Sequence, residues 1–372
     1  MTRGIALVFA ALYAAALFAC NAPATAIDPD AATPEPDAPA PVERPPLDVH
    51  GLGVQGFMLR YGNDVVMTAP LFTRQSAFEV TFNVALAADT AAIDAGLAGE
   101  PLAQLSAIVS GHAHYDHFMD VPHILTQAPA ATAYTNLTGR HVLAALAPDR
   151  PSCTNTAPAP ALPRDRVVAM DDPLASHVDY TNCPAQRPAG APLEGTWLYV
   201  PNSNVRLTAF CSQHPAQIGP YHFGEGSIDQ DQCVLPSAAS GWLEGQTLAF
   251  VIDFLDANKQ PAFRVFYQDA PTNPPIGHLT STVLAEKRVD LALLCVGSAD
   301  AVEDHPTTIL NHLQPRFALS GHWEDFFQAI DAPPKPIPLL DLDGYMQRAE
   351  AALPGRHTLV EPGARFMVPS EP

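Results

Sequence analysis

A cluster of residue types that bind metals follows one short apolar segment of the chain. His112, His114, Asp116 and His117 fall within six positions, directly after a predicted strand at 105–110. Imidazole nitrogens and carboxylate oxygens suit zinc, and also iron or manganese. If the loop curls, His112 and His114 face one ion while Asp116 and His117 face a second. We therefore expect two divalent metal ions here, with zinc as the first candidate.

Strands and helices alternate around this cluster. Apolar runs predict strands at 53–59, 65–68, 105–110, 132–134, 197–200, 205–210, 248–253, 263–267, 291–296 and 317–320. Ala-rich and periodic segments predict helices at 85–98 and 137–146, and a helical segment after His117 is broken at Pro122. This order, with several hairpins, predicts an α/β domain with mixed sheets.

The metal-binding loop also carries a family resemblance. SGHAHYDH resembles the HxHxDH signature of the metallo-β-lactamase superfamily, and the resemblance covers most of residues 50–330. It implies an αββα four-layer sandwich, with two mixed sheets face to face and helices outside. Within the superfamily the loop is similar to that of ascorbate-6-phosphate lactonase-like and N-acyl-phosphatidylethanolamine phospholipase D-like enzymes. Two positions depart from the family pattern: Thr68 stands in the place of a usual Asp, and Gly111 in that of a frequent Thr or Ser.

The resemblance implies three further ligands, each at the end of a strand. His214 matches the third histidine, with His222 as the competing residue. Asp269 matches the bridging aspartate, with Asp253 on the other arm of the hairpin as the alternative, and His322 matches the final histidine. The implied metal ligands are His112, His114, Asp116, His117, His214, Asp269 and His322.

These ligands predict a hydrolase that acts on a small molecule. Two divalent ions share a water and lower its pKa toward neutrality, and the hydroxide attacks a carbonyl or phosphoryl centre. Asp116 is the predicted catalytic residue, because it can bind one ion and also hold or accept the proton of the nucleophile. The substrate class stays open between an ester, a lactone, an amide and a phosphodiester. A non-haem iron redox member of the same fold and a non-catalytic metal-binding lipoprotein are the alternative functions.

Four aromatic residues lie close to the metal motifs along the chain. Phe118, Trp323, Phe326 and Phe327 either wall an apolar pocket or belong to the core.

The N-terminal 47 residues indicate export. A single Arg3 followed by an apolar run at 5–19 predicts a signal peptide at 1–19. The segment Leu17-Phe18-Ala19-Cys20 resembles the lipobox of bacterial lipoproteins, which implies cleavage before Cys20 and lipidation of its thiol. An ordinary secretory signal cleaved near 24–26 is the alternative. Residues 20–47 are rich in proline and predict a disordered tether, so we expect a membrane-anchored lipoprotein that faces the periplasm or the cell exterior.

Charge and cysteine content bound the remaining possibilities. Among 372 residues, 39 Asp and Glu outnumber 19 Lys and Arg, and the net charge of −20 argues against nucleic-acid binding. The domain at 48–368 is predicted to contain a Pro-rich, irregular insertion at 147–196. In an oxidising compartment, five cysteines besides Cys20 predict two disulfides and one free thiol. The predicted pairs are Cys153 with Cys183 and Cys211 with Cys233, which leaves Cys295 buried and free.

Overall fold

Two seven-stranded sheets make up the computed structural model, which describes residues 44–156, 160–172, 195–272, 274 and 276–371. The first sheet has the strand order β14-β1-β2-β3-β4-β5-β6, and the second has the order β13-β12-β11-β10-β9-β8-β7. The strands are β1 Leu47–Gly53, β2 Gly56–Tyr61, β3 Asp64–Thr68, β4 Leu105–Val109, β5 Thr132–Thr135, β6 Val167–Ala169, β7 Leu198–Tyr199, β8 Val205–Cys211, β9 Leu248–Leu255, β10 Pro261–Gln268, β11 Leu291–Cys295, β12 Phe317–Gly321, β13 His357–Leu359 and β14 Arg365–Val368.

Helices cover the outer face of each sheet. They are α1 Ala77–Thr81, α2 Thr90–Gly96, α3 Tyr115–Phe118, α4 Val121–Gln127, α5 Leu137–Leu143, α6 Ser281–Glu286, α7 Thr307–Leu313 and α8 Leu342–Ala352. None of the helices in the described ranges is long and apolar enough to cross a membrane.

The layers follow from the alternation of side chains along each strand. Phe266 and Tyr267 are neighbours on β10, and successive strand residues point to opposite faces. Tyr267 belongs to the core between the two sheets, whereas Phe266 packs among residues of α6, α7 and α8. A third core joins the first sheet to α2, α4 and α5 through residues such as Ile93 and Ile124. The predicted α/β class with two mixed sheets and outer helices is confirmed.

Some predicted elements differ from the observed ones. The helix predicted at 85–98 is shorter, because the Asp89 side chain caps α2 by accepting from Ala92 N–H. Pro122 does not break the helix after His117; it lies in the first turn of α4, where a missing N–H costs no hydrogen bond. The insertion predicted as irregular contributes β6, which pairs in parallel with β5. Residues 157–159 and 173–194 of this insertion lie outside the described ranges, as do residues 1–43.

The predicted cysteine pairing is wrong, although Cys295 is buried and free as expected. Cys153 forms its disulfide with Cys233, 80 residues later, and not with Cys183. The prediction paired cysteines across local loops, but the fold brings the segment at 150–155 against the β8–β9 connection, where Arg150 and Asn155 both donate to Cys233 O. Cys211 is also disulfide-bonded, and Cys183 lies outside the described residues.

Candidate metal centre

The candidate ligands lie at one edge of the sheet pair. In the first sheet β3 runs parallel to β4, so the carboxyl ends of these two strands meet at the same edge. In the second sheet β10, β11 and β12 are parallel, and β8 shares their direction because both β8 and β10 are antiparallel to β9. The segments that follow β4, β8, β10 and β12 carry all seven predicted ligands.

The loop after β4 is held in a curled shape by backbone hydrogen bonds. Ser110 Oγ donates to His112 O, and Ala113 N–H donates to the carbonyl of Glu244 on the β8–β9 connection. His114 then stands at the N-terminus of α3, so that Asp116 and His117 lie in its single turn. The His112 ring lies 4.6 Å from the His114 ring and 4.2 Å from the His117 ring, so His112 stands between the other two histidines of the loop.

The seven predicted ligands form three overlapping groups. Within each group, one ligand atom per residue lies within 4.8 Å of the others. The groups are His112 with His114 and His214, His112 with His117 and Asp269, and Asp116 with His117 and His322. The structure therefore brings together all seven residues, which span more than two hundred positions of the chain.

The hydrogen bonds of the first group fix which imidazole nitrogens face the centre. Gly224 O lies 3.2 Å from His114 Nε2, and Pro215 O lies 2.6 Å from His214 Nδ1. A carbonyl only accepts, so these nitrogens carry the protons and leave His114 Nδ1 and His214 Nε2 as the lone-pair atoms. His222 belongs to none of the three groups; its Nε2 lies 2.8 Å from Glu244 Oε2. This geometry favours His214 over His222 as the third histidine.

The third group, Asp116 with His117 and His322, is built from α3 and the end of β12. His322 Nε2 lies 3.3 Å and His117 Nε2 lies 3.6 Å from Asp116 Oδ2. His322 has a φ of 57°, and its N–H donates to Val54 O at 2.6 Å, which turns the side chain back toward α3. Gly297 leaves room for this ring, since a Cβ there would lie 2.9 Å from His322 Nδ1.

Asp269 occupies the position between the two outer groups. Its Oδ1 lies 3.1 Å from His112 Nδ1, and its Oδ2 lies 3.8 Å from His117 Nδ1. Gly111 N–H donates to Asp269 Oδ2 at 2.6 Å, and a Cβ on Gly111 would lie only 2.2 Å from Asp269 Oδ1. A side chain at position 111 would therefore collide with Asp269. The competing Asp253 is buried in ion pairs with Arg206 and Arg264.

Burial and charge set the protonation of the ligands. Burial lowers the pKa of His114 to about 3, and it lowers the pKa of His117 and His214 well below the usual range, helped by the charge of His112. Burial also opposes the charged form of His112, but the Asp269 carboxylate outweighs it and raises that pKa. For Asp116, burial raises the pKa while His117 and His322 lower it, and the net pKa lies well below its usual range. Neutral imidazoles and an ionised carboxylate are the forms that bind cations.

Unpartnered polar atoms show that these residues fit a metal centre. Among the described residues, both ring nitrogens of His112, Nδ1 of His117, Nδ1 of His322 and Oδ1 of Asp269 are buried without a hydrogen-bond partner. Buried polar atoms are almost always paired, so a concentration of unpaired ligand atoms at one point calls for a further group. Nitrogen and oxygen donors of this kind suit divalent zinc, iron or manganese.

Two supporting carboxylates were missed by the sequence reasoning. Glu244 accepts from Thr247 Oγ1 through one carboxylate oxygen and contacts His222 through the other. Asp120 lies three residues after His117 and accepts from Phe72 N–H, Thr73 N–H and Thr73 Oγ1, which ties the loop after β3 to α3. The short distance of Asp120 from the HxHxDH motif was the one signal in the sequence for a supporting role, because its partners Phe72 and Thr73 lie nearly fifty positions earlier in the chain.

Thr68 and the aromatic residues near the motifs also have definite places in the structure. Thr68 accepts from Phe57 N–H and donates to Gln55 O, so this position supports the edge of the first sheet. Of the aromatic residues near the motifs, Phe118 and Trp323 are buried. Phe326 and Phe327 are partly exposed, and the Phe326 ring packs edge-on against His322 at 5.2 Å. Phe118 and Trp323 therefore belong to the core, and Phe326 packs against its margin.

Comparisons with solved structures return metallo-β-lactamase-fold proteins. The metallo-β-lactamase fold protein YhfI from Bacillus subtilis is 11% identical, with 86% of this chain and 99% of that chain covered at a TM-score of 0.45. A possible metal-dependent hydrolase from Veillonella parvula DSM 2008 is 10% identical, and the match covers 87% of this chain and 99% of that chain at a TM-score of 0.46. CmlA, a diiron β-hydroxylase from Streptomyces venezuelae, is 9% identical, and the match covers 87% of this chain and 54% of that chain at a TM-score of 0.47. No protein-family model and no curated protein matches the chain.

Proposed function

We propose that the chain is a metal-dependent hydrolase of the metallo-β-lactamase superfamily that binds two divalent metal ions, with zinc as the first candidate. The observation that carries this proposal is the convergence of seven ligand-type side chains, four of which (His112, His117, His322 and Asp269) have buried nitrogen or oxygen atoms without a hydrogen-bond partner. His112, His114 and His214 would hold one ion, Asp116, His117 and His322 the other, and Asp269 would lie between them. When bound, such a pair of ions makes water a nucleophile at neutral pH and polarises the group under attack.

The residues of the chain have definable roles in this reaction. The Asp116 carboxylate, whose pKa is held low by His117 and His322, stays ionised and can accept a hydrogen bond from the attacking water. The carbonyls of Gly224 and Pro215 orient the rings of His114 and His214. Gly111 N–H fixes one oxygen of Asp269. The substrate class at this level is an ester, a lactone, an amide or a phosphodiester.

A panel of chromogenic esters, lactams and phosphodiesters tests this function on the zinc-loaded chain. Hydrolysis of at least one class, its loss in His114→Ala and its retention in His123→Ala are the expected results. His123 is a suitable control because it lies on α4, bonded to Asp94 at the surface. Turnover of the panel that persists in His114→Ala would contradict the proposal, and iron with a visible absorbance band would favour the redox alternative.

We also propose that the chain is exported and anchored through a lipid on Cys20. The disulfide between Cys153 and Cys233 supports an oxidising compartment. Mass spectrometry of the N-terminal peptide should show a diacylglycerol-modified Cys20, and Cys20→Ser should move the protein out of the membrane fraction. A mature chain that begins near residues 24–26 and so lacks Cys20, or a mature chain that keeps an unmodified Cys20, would refute the anchor.

A further inference from the structure

Three connections leave the edge that carries the metal ligands. Loop 1 (residues 69–89) follows β3, loop 2 (212–247) follows β8, and loop 3 (322–341) follows β12. Loop 1 contacts loop 2 through Leu86 N–H, which donates to Ser237 O at 2.7 Å. Loop 1 contacts loop 3 through Arg74, whose Nη2 lies 3.4 Å from Glu324 Oε1. The three loops therefore form one continuous border around the candidate metal centre.

Exposed apolar side chains are concentrated on this border. Of the eleven large hydrophobic residues that stand exposed among the described residues, nine lie on the three loops. Loop 1 carries Phe78, Phe82 and Val84, and the Phe78 and Phe82 rings lie 4.6 Å apart. Loop 3 carries Ile330 and Leu339.

Loop 2 carries the remaining four, which are Ile218, Tyr221, Phe223 and Val234. Concentrated exposed apolar surface marks a binding site on soluble proteins, whereas scattered single residues do not. The two exposed residues outside the loops, Tyr199 and Met367, lie on strands.

Ring contacts reach from loops 2 and 3 to two of the candidate ligands. His222 lies between Tyr221 and Phe223 in the sequence, and its ring stacks on the ring of the ligand His214 at 5.5 Å. On the other side, the Phe326 ring of loop 3 packs against the ligand His322 at 5.2 Å. A molecule that reaches the metal centre therefore passes aromatic side chains next to both outer ligand groups.

The charge of the loops indicates what kind of molecule this is. The three loops contain ten acidic residues but only Arg74 and Lys335 as basic ones, and loop 2 has no Lys or Arg at all. Arg74 is largely buried against Glu324, so Lys335 is the one exposed basic side chain of the loops. Acidic surroundings repel an anionic substrate such as a phosphodiester, whereas an uncharged acyl compound meets no such barrier.

We propose that the substrate is an uncharged ester, lactone or amide with a large apolar substituent, and that this substituent binds on the apolar side chains of loops 1, 2 and 3. This inference rests on the hydrolase function proposed above. In the reaction, water adds its oxygen to the acyl carbon, the bond to the alkoxy or amino group breaks, and a proton passes to the departing oxygen or nitrogen. Tyr221 and Phe223, on either side of His222, are the specificity-determining residues.

A chain-length series tests the substrate class. The full chain, loaded with zinc, is assayed with p-nitrophenyl acetate, butyrate and octanoate and with bis(p-nitrophenyl) phosphate. We expect kcat/KM to rise about tenfold or more from acetate to octanoate, because each methylene that leaves water adds binding energy, and the phosphodiester to be the poorest substrate. An acetate that reacts as fast as the octanoate, or a preferred phosphodiester, would overturn the proposal.

A matched pair of variants tests the surface itself. Tyr221 on loop 2 and Tyr199 on β7 are 65% and 61% exposed, so they differ chiefly in where they lie. Tyr199 pairs with Arg206, toward the end of β8 opposite the metal centre. Tyr221→Ala should lower kcat/KM for the octanoate about tenfold and more than for the acetate, while Tyr199→Ala should change neither. Equal losses in the two variants would refute the assignment.

Binding of the neutral fluorophore N-phenyl-1-naphthylamine separates this inference from the hydrolase function. If no ester is cleaved but Tyr221→Ala weakens probe binding and Tyr199→Ala does not, the hydrolase function fails while the apolar binding surface stands. If esters are cleaved without a chain-length preference and the probe binds both variants equally, the surface proposal fails while the hydrolase function stands.

Discussion

Replacing Gly111 by alanine tests how the centre holds Asp269. The new Cβ would lie 2.2 Å from Asp269 Oδ1 and 2.3 Å from Leu248 O, well inside contact distance. Leu248 O belongs to the backbone of β9, which cannot move freely, so the carboxylate must shift. The shift also lengthens the 2.6 Å bond from Gly111 N–H to Asp269 Oδ2.

The expected cost has two parts. Overpacking of a buried site destabilises the fold by about 1–3 kcal/mol. Loss of an oriented ligand weakens metal binding about 10–100-fold, as is typical when the groups that orient ligands are disturbed. Gly111→Ala should therefore lose metal to a chelator at lower concentration than the wild type, with activity falling in parallel.

Gly51→Ala is the matched control for this variant. A Cβ on Gly51 would meet Val360 Cγ1 at 2.5 Å and Glu361 O at 2.9 Å, and neither residue is among the candidate ligands. It should lower the free energy of unfolding by a similar amount but leave chelator resistance unchanged. Our reasoning is refuted if Gly111→Ala keeps wild-type metal affinity, or if both variants lose metal equally.

Three further predictions address the charges and the disulfide. Asp253→Asn should cost about 3–5 kcal/mol of stability, because it removes the buried carboxylate that pairs with Arg206 and Arg264 and leaves them only the partly exposed Glu286. It should keep both metals, whereas Asp269→Asn should lose metal. A metal-deficient but stable Asp253→Asn would contradict the assignment of the bridging carboxylate. Burial raises the pKa of Asp171 to about 7, so between about pH 4 and pH 7 the folded protein holds a proton that the unfolded chain has released, and the fold loses stability as the pH rises through this range. Asp171→Asn should therefore stabilise the protein more at pH 8 than at pH 4 in denaturant titrations. An equal effect at the two pH values would refute this. Cys153→Ser with Cys233→Ser should lower the unfolding free energy by about 2–5 kcal/mol, since the disulfide closes a loop of 80 residues, and an unchanged unfolding midpoint would contradict this.

The ligands near in sequence and at strand ends were predictable, because local chemistry and strand direction determine them. His112, His114, Asp116 and His117 share one loop, and parallel strands bring His214, Asp269 and His322 to the same edge. The choice between His214 and His222 needed coordinates, because both lie on the same long connection. Asp269 was already preferred from the sequence because Asp253 lies on the other arm of the hairpin, and the structure adds that Arg206 and Arg264 pair with Asp253.

Features that depend on distant contacts were not predictable from the sequence. The Cys153–Cys233 pairing joins two segments that meet only after both sheets have formed. β14 is a short edge strand, and it pairs with β1 more than three hundred positions earlier in the chain. The apolar border of loops 1, 2 and 3 is likewise assembled from segments separated by more than seventy residues.

The number of metal ions bound per chain tests the central claim most directly. We predict two equivalents in the wild type by elemental analysis. His214→Ala and His322→Ala should each retain about one equivalent, because they belong to different ligand groups. A wild type that binds no ion after incubation with excess zinc would contradict a dinuclear centre built from these seven residues. So would two variants that each bind two ions as tightly as the wild type.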